Sequence, residues 1–375
     1  MNVSADTQPV PLSVFTGTKA QFIKLAPVIQ EFARRGWTYR LIDTGQHAAL
    51  TRHIVEDFGI RPPDICLWRD PRGVDTMGSG LRWTASMTRI LLRTRATIRR
   101  ELFEGRRGLS FVHGDTASTL LSTLIAKRAG QQVAHVEAGL RSYRWLHPFP
   151  EEIIRIAVMR MADLLFAPSA VACQNLERMG LSDRTVPLPG NTNMDTMANS
   201  LSREPRFPSD LRRPFSLVTV HRIETIYSRA SLEKVVDVVL QAHSAVPAIF
   251  VLHPPTKRRL TATGHDSVLA EAGVRFLPLV EHATFAHLLK DAEFVVTDGG
   301  SVQEEAAYTG TPCLVLREAT ERDDGLGDNA VLGTLDLSRA QEFLSCFRDY
   351  RKPSRLGRFD SPSVAIANHV ASRYR

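Results

Sequence analysis

Cysteine is scarce, and no two of the four cysteines form a CxxC pair. Cys66, Cys173, Cys313 and Cys346 therefore indicate neither a zinc site nor a disulfide framework. Long apolar runs are also missing. None approaches the roughly 20 residues that a helix needs to cross a bilayer, so no membrane partner is expected. The opening stretch, MNVSADTQPVPL, has no basic region followed by an apolar one, so no secretory leader is expected. A reduced, cytoplasmic setting follows as the expectation. Internal repeats and low-complexity tracts are absent. The basic runs carry neither interleaved aromatics nor a helix-turn-helix pattern, which argues against a nucleic-acid partner.

What is present is ordinary for a soluble globular protein: 43% hydrophobic and 23% charged residues. A chain of 375 residues is long for a single core and suggests two domains. The formal charge of +7 is concentrated in runs such as Arg89 to Arg107 and Lys257-Arg258-Arg259. Such an excess suits an anionic partner, for which a phosphorylated small molecule qualifies, although the first run also reads as a solvated helix face.

Short apolar runs alternate with amphipathic stretches. Strands are expected at 12–15, 39–43, 109–112, 133–136, 164–167 and 185–188, with helices between them, one of them after the TGQH that ends at His47. After a polar stretch rich in proline and arginine, 202–214, the pattern restarts with strands at 216–220, 249–252, 275–278, 294–297 and 313–316. Alternation of this kind means parallel sheets covered by helices on both faces. The expected fold is α/β, with two Rossmann-like doubly wound domains, 1–200 and 201–355, and a cleft between them. A closing helical stretch, 356–375, is expected to pack back on the first domain.

Polar residues sit just past strand ends, where ligands of such sheets bind: Lys19, His47, Asp115, Glu137, His221, His253 and Asp298. In VVTDGGSVQEE a strand runs into Gly299, Gly300 and Ser301, a turn at a helix start that suits a phosphate or diphosphate. The same residues also fit a plain capping box of Ser301 with Glu304. Glu305 on that helix can take a ribose diol or simply complement the helix dipole. Asp115 in VHGDTAST either caps the next helix or faces the cleft. In HVEAGLRSYRWLHPFPEEIIR, Pro150, Glu151 and Glu152 suit a helix start, and Glu151 and Arg155 are spaced to pair along it. That local reading leaves Glu137 at its strand end unexplained. Carboxylates gathered at a cleft edge serve proton transfer. His221 and Arg222 follow the first strand of the second half, and Arg322 follows its last expected strand; Arg222 and Arg322 can clamp phosphate.

Taken together, GTKAQFIKLAPV, TGQH, GDT, HVEAGLRS, PFPEE, GNTNMDT, VHRIE, TDGGSVQEE and TER resemble the UDP-N-acetylglucosamine 2-epimerase family, over nearly the whole chain. The resemblance implies a GT-B-like fold, a UDP-sugar substrate, inversion at C2 of a 2-acetamido sugar, and no nicotinamide or metal cofactor. It implies Asp115, Glu137 and Glu151 as acid/base carboxylates and His221 as the group assisting the phosphate. Lys24, Arg155 and Arg322 would neutralise phosphate and organise the carboxylates, with Lys19 and His253 as further substrate contacts. The Gly299-Gly300-Ser301 turn would hold the diphosphate and Glu305 the ribose. A homodimer is expected. The chain departs from the family pattern at Lys19-Ala20-Gln21, where Arg-Pro-Glu is usual, and at Gly299-Gly300-Ser301, where Ser-Gly-Gly is usual. It departs again at Ile154, Thr225 and Asp323-Asp324, and the residues after TGQH lack the family's charged continuation. A hydrolysing epimerase that releases UDP and free sugar, a GT-B glycosyltransferase and a non-catalytic UDP-sugar sensor stand as alternatives.

Overall fold

The computed structural model describes residues 8–47, 55–71, 73–74, 76–143, 150–208, 211–357 and 359–374. Residues 48–54, where a helix is expected after TGQH, and residues 144–149 of the loop before Pro150 lie outside these. Two compact units are present, one built from residues 1–196 and 360–375, the other from 197–359.

The first unit is a seven-stranded sheet made of β1 (Leu12–Thr16), β2 (Tyr39–Asp43), β3 (Ile65–Cys66), β4 (Leu109–His113), β5 (Gln132–Val136), β6 (Leu164–Ala167) and β7 (Thr185–Pro187). The strands run in the order β3-β2-β1-β4-β5-β6-β7, and every pairing is parallel. Both faces are covered, which explains why these strands read as continuous apolar runs. Val14, Phe111, Ala134 and Phe166 face one core, while their neighbours Phe15, Val112, Val133 and Leu165 face the other. The helix Pro362–Arg373 belongs to this unit. Its Ile366, Ala367 and Val370 join the core of Val14 and Phe111, and the Ser363 N–H donates to the Asp195 carboxylate at 2.9 Å.

The second unit repeats the design with β8 (Ser216–Thr219), β9 (Ala248–Leu252), β10 (Arg275–Pro278), β11 (Val295–Thr297), β12 (Cys313–Val315) and β13 (Ala330–Leu332). The order is β10-β9-β8-β11-β12-β13, again all parallel. This is the doubly wound dinucleotide-fold order, in which ligands bind beyond the strand ends where the winding reverses. The reversal lies between β1 and β4 in the first sheet and between β8 and β11 in the second. Sequence periodicity misses β3 and β13. They are sheet-edge strands of two and three residues, too short to show any period.

At the first reversal the backbone is tightly tied. A Cβ on Gly17 would lie 2.0 Å from Thr44 Oγ1, so no larger residue fits there. Thr18 caps the helix Lys19–Arg34 and forms a capping box with Gln21. The Gln21 amide also donates to the His113 carbonyl at 3.1 Å and to Thr119 Oγ1 at 2.8 Å, which joins the loops after β1 and β4.

Candidate active site

Glu137 follows β5 directly, with φ +67. A left-handed backbone is uncommon for a residue with a side chain, and where it occurs it clusters at functional sites. The carboxylate is nearly buried, at 6% exposure. Lys24 Nζ, one turn into the first helix, donates to Glu137 Oε1 at 2.5 Å, and Asn191 Nδ2, from the loop after β7, donates to the same oxygen at 2.5 Å. His113 Nε2, at the end of β4, stands 2.9 Å from Glu137 Oε2. That approach lies off the axis a hydrogen bond requires.

Asp115 lies past the end of the neighbouring strand, β4. It does not cap the following helix. Thr116 does, in a capping box with Thr119, and Asp115 instead pairs with Arg155. Arg155 is buried and also holds Glu152 Oε2 at 2.7 Å. Glu152 in turn accepts from Arg141 Nε at 2.5 Å and from the Ser142 N–H at 3.0 Å. Burial pushes the Glu152 carboxyl up, but Arg141, the Ser142 N–H and Arg155 outweigh it and hold the group below the usual carboxylate range. Glu151 is the first residue of the helix Glu151–Met161 and is partly exposed. One turn later that helix delivers Arg155 to Asp115. Lys19 opens the first helix, partly exposed, and its N–H donates to His47 Nδ1 at 3.3 Å.

Between the ends of β4 and β5 lies a further histidine. His135 is fully buried and hydrogen-bonded through Nε2 to the Gly114 carbonyl at 2.8 Å. Burial lowers its pKa to about 4, so at neutral pH it is uncharged and Nε2 is the donor. Between pH 6.5 and 4 the unfolded chain binds a proton that the folded chain refuses. Stability therefore falls as pH drops through that window, by about 2 kcal/mol between pH 7 and 5. Urea titrations at the two pH values measure this. His135→Gln, which keeps an N–H for Gly114 and does not titrate, should remove most of the difference.

In the second unit the buried Asp298, just after β11, ties the two strand ends at the reversal. Its carboxylate accepts from the His221 N–H at 3.0 Å and from the Arg222 N–H at 2.9 Å. The His221 ring stacks on His253, which follows β9, with centroids 4.4 Å apart. The helix Gly300–Thr309 has Gly299 as its N-cap and no side-chain cap. Ser301 lies inside the first turn, so the capping box of Ser301 with Glu304 does not form. Glu304 instead pairs with Arg322 at 2.9 Å and accepts from Tyr308 at 2.7 Å. Arg322 is therefore buried beside the helix start and is not a surface arginine. Glu321, next to it, has its pKa lowered to about 2; burial alone would raise it, but Arg317 and Arg322 prevail. Glu305 is buried, 3.4 Å from His282 Nε2.

The residues expected from the sequence thus fall into two groups. Lys24, Asp115, Glu137 and Arg155 gather at the carboxyl ends of β4 and β5, with Glu151 opening the helix that carries Arg155. His221, His253, Gly299, Gly300, Ser301, Glu305 and Arg322 gather around the β8/β11 reversal and its helix. The sequence pattern does not mark His113, His135, Asn191 or Glu152 as site residues. GNTNMDT was the available signal for Asn191, but an asparagine before a helix reads as local turn chemistry. Among the described residues no three His, Cys, Asp or Glu side chains converge as a metal site. A cavity of about 700 Å³ opens at the opposite, amino-terminal edge of the first sheet, near Leu12, Tyr39 and Arg40. None of the expected site residues lines it.

The first group can move protons, and the second offers backbone N–H groups at a helix start beside a buried arginine, which suits an anion. The family model for UDP-N-acetylglucosamine 2-epimerase matches residues 30–340. A UDP-N-acetylglucosamine 2-epimerase of Methanocaldococcus jannaschii is 29% identical over 86% of this chain and 88% of its own. One from Methanococcus maripaludis is 29% identical over 92% of both. The crystal structure of the M. jannaschii enzyme in complex with UDP-GlcNAc and UDP is similar with a TM-score of 0.79 at 26% identity, covering 97% of this chain and 99% of that one.

Proposed function

Because the chain belongs to the UDP-N-acetylglucosamine 2-epimerase family, we propose that it inverts C2 of a UDP-linked 2-acetamido sugar and that the product it releases is again joined to UDP. The reading runs through elimination. A carboxylate takes the C2 proton, the C2–H pair becomes the C1=C2 double bond, and UDP leaves C1 with the C1–O pair on the opposite face. UDP then returns to C1 of the bound 2-acetamidoglucal while C2 is reprotonated from the other side. Two faces of one carbon need proton-transfer groups, and this requirement accounts for several carboxylates in one small region. Asp115, Glu137 and Glu151 are assigned that work. The observation that carries the assignment is Glu137, held in a left-handed backbone with its Oε1 fixed by Lys24 and Asn191. Any buried glutamate needs a cation and a donor; the left-handed backbone just past a strand end is what favours the catalytic assignment.

The diphosphate is assigned to Gly299, Gly300 and Ser301, where an N-terminus without a side-chain cap stands beside Arg322. His221 assists the departing phosphate and Glu305 takes the ribose. Lys19 and His253 complete the substrate contacts. Stabilising the charge on departing UDP is the largest catalytic contribution in this scheme. The product, a ManNAc-type nucleotide sugar, suits the building of surface polysaccharide. The four free thiols fit a cytoplasmic setting, and among the described residues no helix is long and apolar enough to cross a membrane. A homodimer remains part of the proposal.

Incubation with UDP-GlcNAc in deuterated water, followed by NMR, tests it. Deuterium at C2 with UDP still attached is the expected result. Deuterium in free sugar would mean a hydrolysing enzyme. UDP release only with an added acceptor, and no exchange, would mean a glycosyltransferase. Gly299→Ala tests the diphosphate assignment. A Cβ there would stand 2.8 Å from His221 Cε1, so the imidazole must leave its stack on His253. Calorimetry should show UDP binding weakened about tenfold, the equivalent of about 1.4 kcal/mol.

A further inference from the structure

Asn191 is buried, and its local bonding leaves its amide little choice of direction. The side-chain Oδ1 accepts from the Asn193 N–H at 3.2 Å, which turns Nδ2 toward Glu137. Lys24 meets the same carboxylate oxygen from another element. A carboxylate oxygen has two lone pairs, and these two donors match them. Oε2 faces His113. The charged and titratable groups that meet the carboxylate include Lys24 from the first helix and His113 from β4, with His135 of β5 close by.

We propose that Asn191 is a positioning residue for Glu137: with Lys24 it locks Oε1, so that proton transfer to and from the substrate runs through Oε2 beside His113. The inference rests on the epimerase reading, since it assigns an orientation to a group that the reading makes catalytic. It goes further in giving a role to a loop residue that touches no reacting atom and in naming the reactive oxygen. The left-handed backbone at Glu137 fits the same picture. It fixes where the side chain starts, and the two donors fix where it ends.

Two variants test the proposal. Asn191→Asp keeps the size, removes the donor and adds a like charge beside Glu137, which raises a carboxyl pKa. The Glu137 carboxyl, followed by ¹³C NMR on glutamate-labelled protein and identified by its absence in Glu137→Gln, should titrate about one pH unit or more higher than in the wild type. The acid limb of the kcat/KM profile should move with it. Asn191→Ser keeps a hydroxyl able to accept from the Asn193 N–H but does not reach Glu137. It should fold like the wild type, lose about tenfold or more in kcat and hold KM within about threefold. An unshifted Glu137 titration in Asn191→Asp, or wild-type kcat in Asn191→Ser, overturns the proposal. If the wild type shows no C2 exchange, the epimerase reading fails. The NMR titration still reports whether Asn191 controls Glu137, so the two failures are separable.

Discussion

Glu137→Gln should lose C2 deuterium exchange by about 10³-fold, since a positioned acid or base commonly contributes 10²- to 10⁴-fold. The glutamine has nearly the same shape and its amide oxygen can still accept from Lys24 and Asn191, but the buried Lys24 loses the negative charge it pairs with, so some loss of unfolding stability should accompany the loss of exchange. What it lacks is the ability to take up and return a proton near neutral pH. UDP affinity should stay within roughly threefold, because a group that acts on the reacting carbon changes kcat more than ground-state binding. Exchange followed by NMR and UDP binding followed by calorimetry give the two numbers. Intact exchange would remove Glu137 from the chemistry, and a large loss of UDP binding would mean that it holds the nucleotide instead.

The second large effect is expected from Arg155→Leu. Arg155 is buried between two carboxylates, Asp115 and Glu152. Removing the cation leaves Glu152, which is 1% exposed, with Arg141 and the Ser142 N–H as its partners among the described residues. Breaking a buried pair in this way costs about 3–5 kcal/mol, to be read from denaturant unfolding. Exchange should fall as well, because Asp115 loses the partner that fixes it. A second substitution separates charge from packing. Glu152→Gln on the Arg155→Leu background removes the buried charge and should return about 1–3 kcal/mol. No recovery would mean that packing, and not electrostatics, accounts for the loss. Arg155→Lys should fall between wild type and leucine, since an ammonium keeps the charge but cannot hold two carboxylates with a planar fork.

The long-range architecture was legible because parallel strands covered on both faces announce themselves as apolar runs. Among the described residues, eleven of the thirteen strands stand where such runs stand, with ends matching to within one residue. β3 and β13 carry no such run. At the site, legibility stopped where a side chain's partner is distant in sequence. Asp115 reads as a helix cap, and only the fold shows that Thr116 takes that place and leaves Asp115 to Arg155, 40 residues on. Likewise Ser301 and Glu304 satisfy a capping pattern that Gly299 and Arg322 displace. Glu151 and Glu152 are adjacent and chemically identical, yet one is partly exposed and the other buried in a four-group ion network. Helix phase decides between them, and a one-residue shift in the start of that helix would put Glu151 in the place of Glu152 and Glu152 in the exposed place of Ile153. Asn191 and His113 reach Glu137 from 54 residues downstream and from the neighbouring strand. Nothing local to either marks them.

The first unit is assembled from two pieces of chain, with residues 360–375 arriving after the whole of 197–359 has been made. Ile366, Ala367 and Val370 are completely buried in its core, so during translation that core waits with an apolar groove uncovered while the later-made unit, continuous in sequence, is free to fold first. The unit begun first is thus the one whose core is closed last.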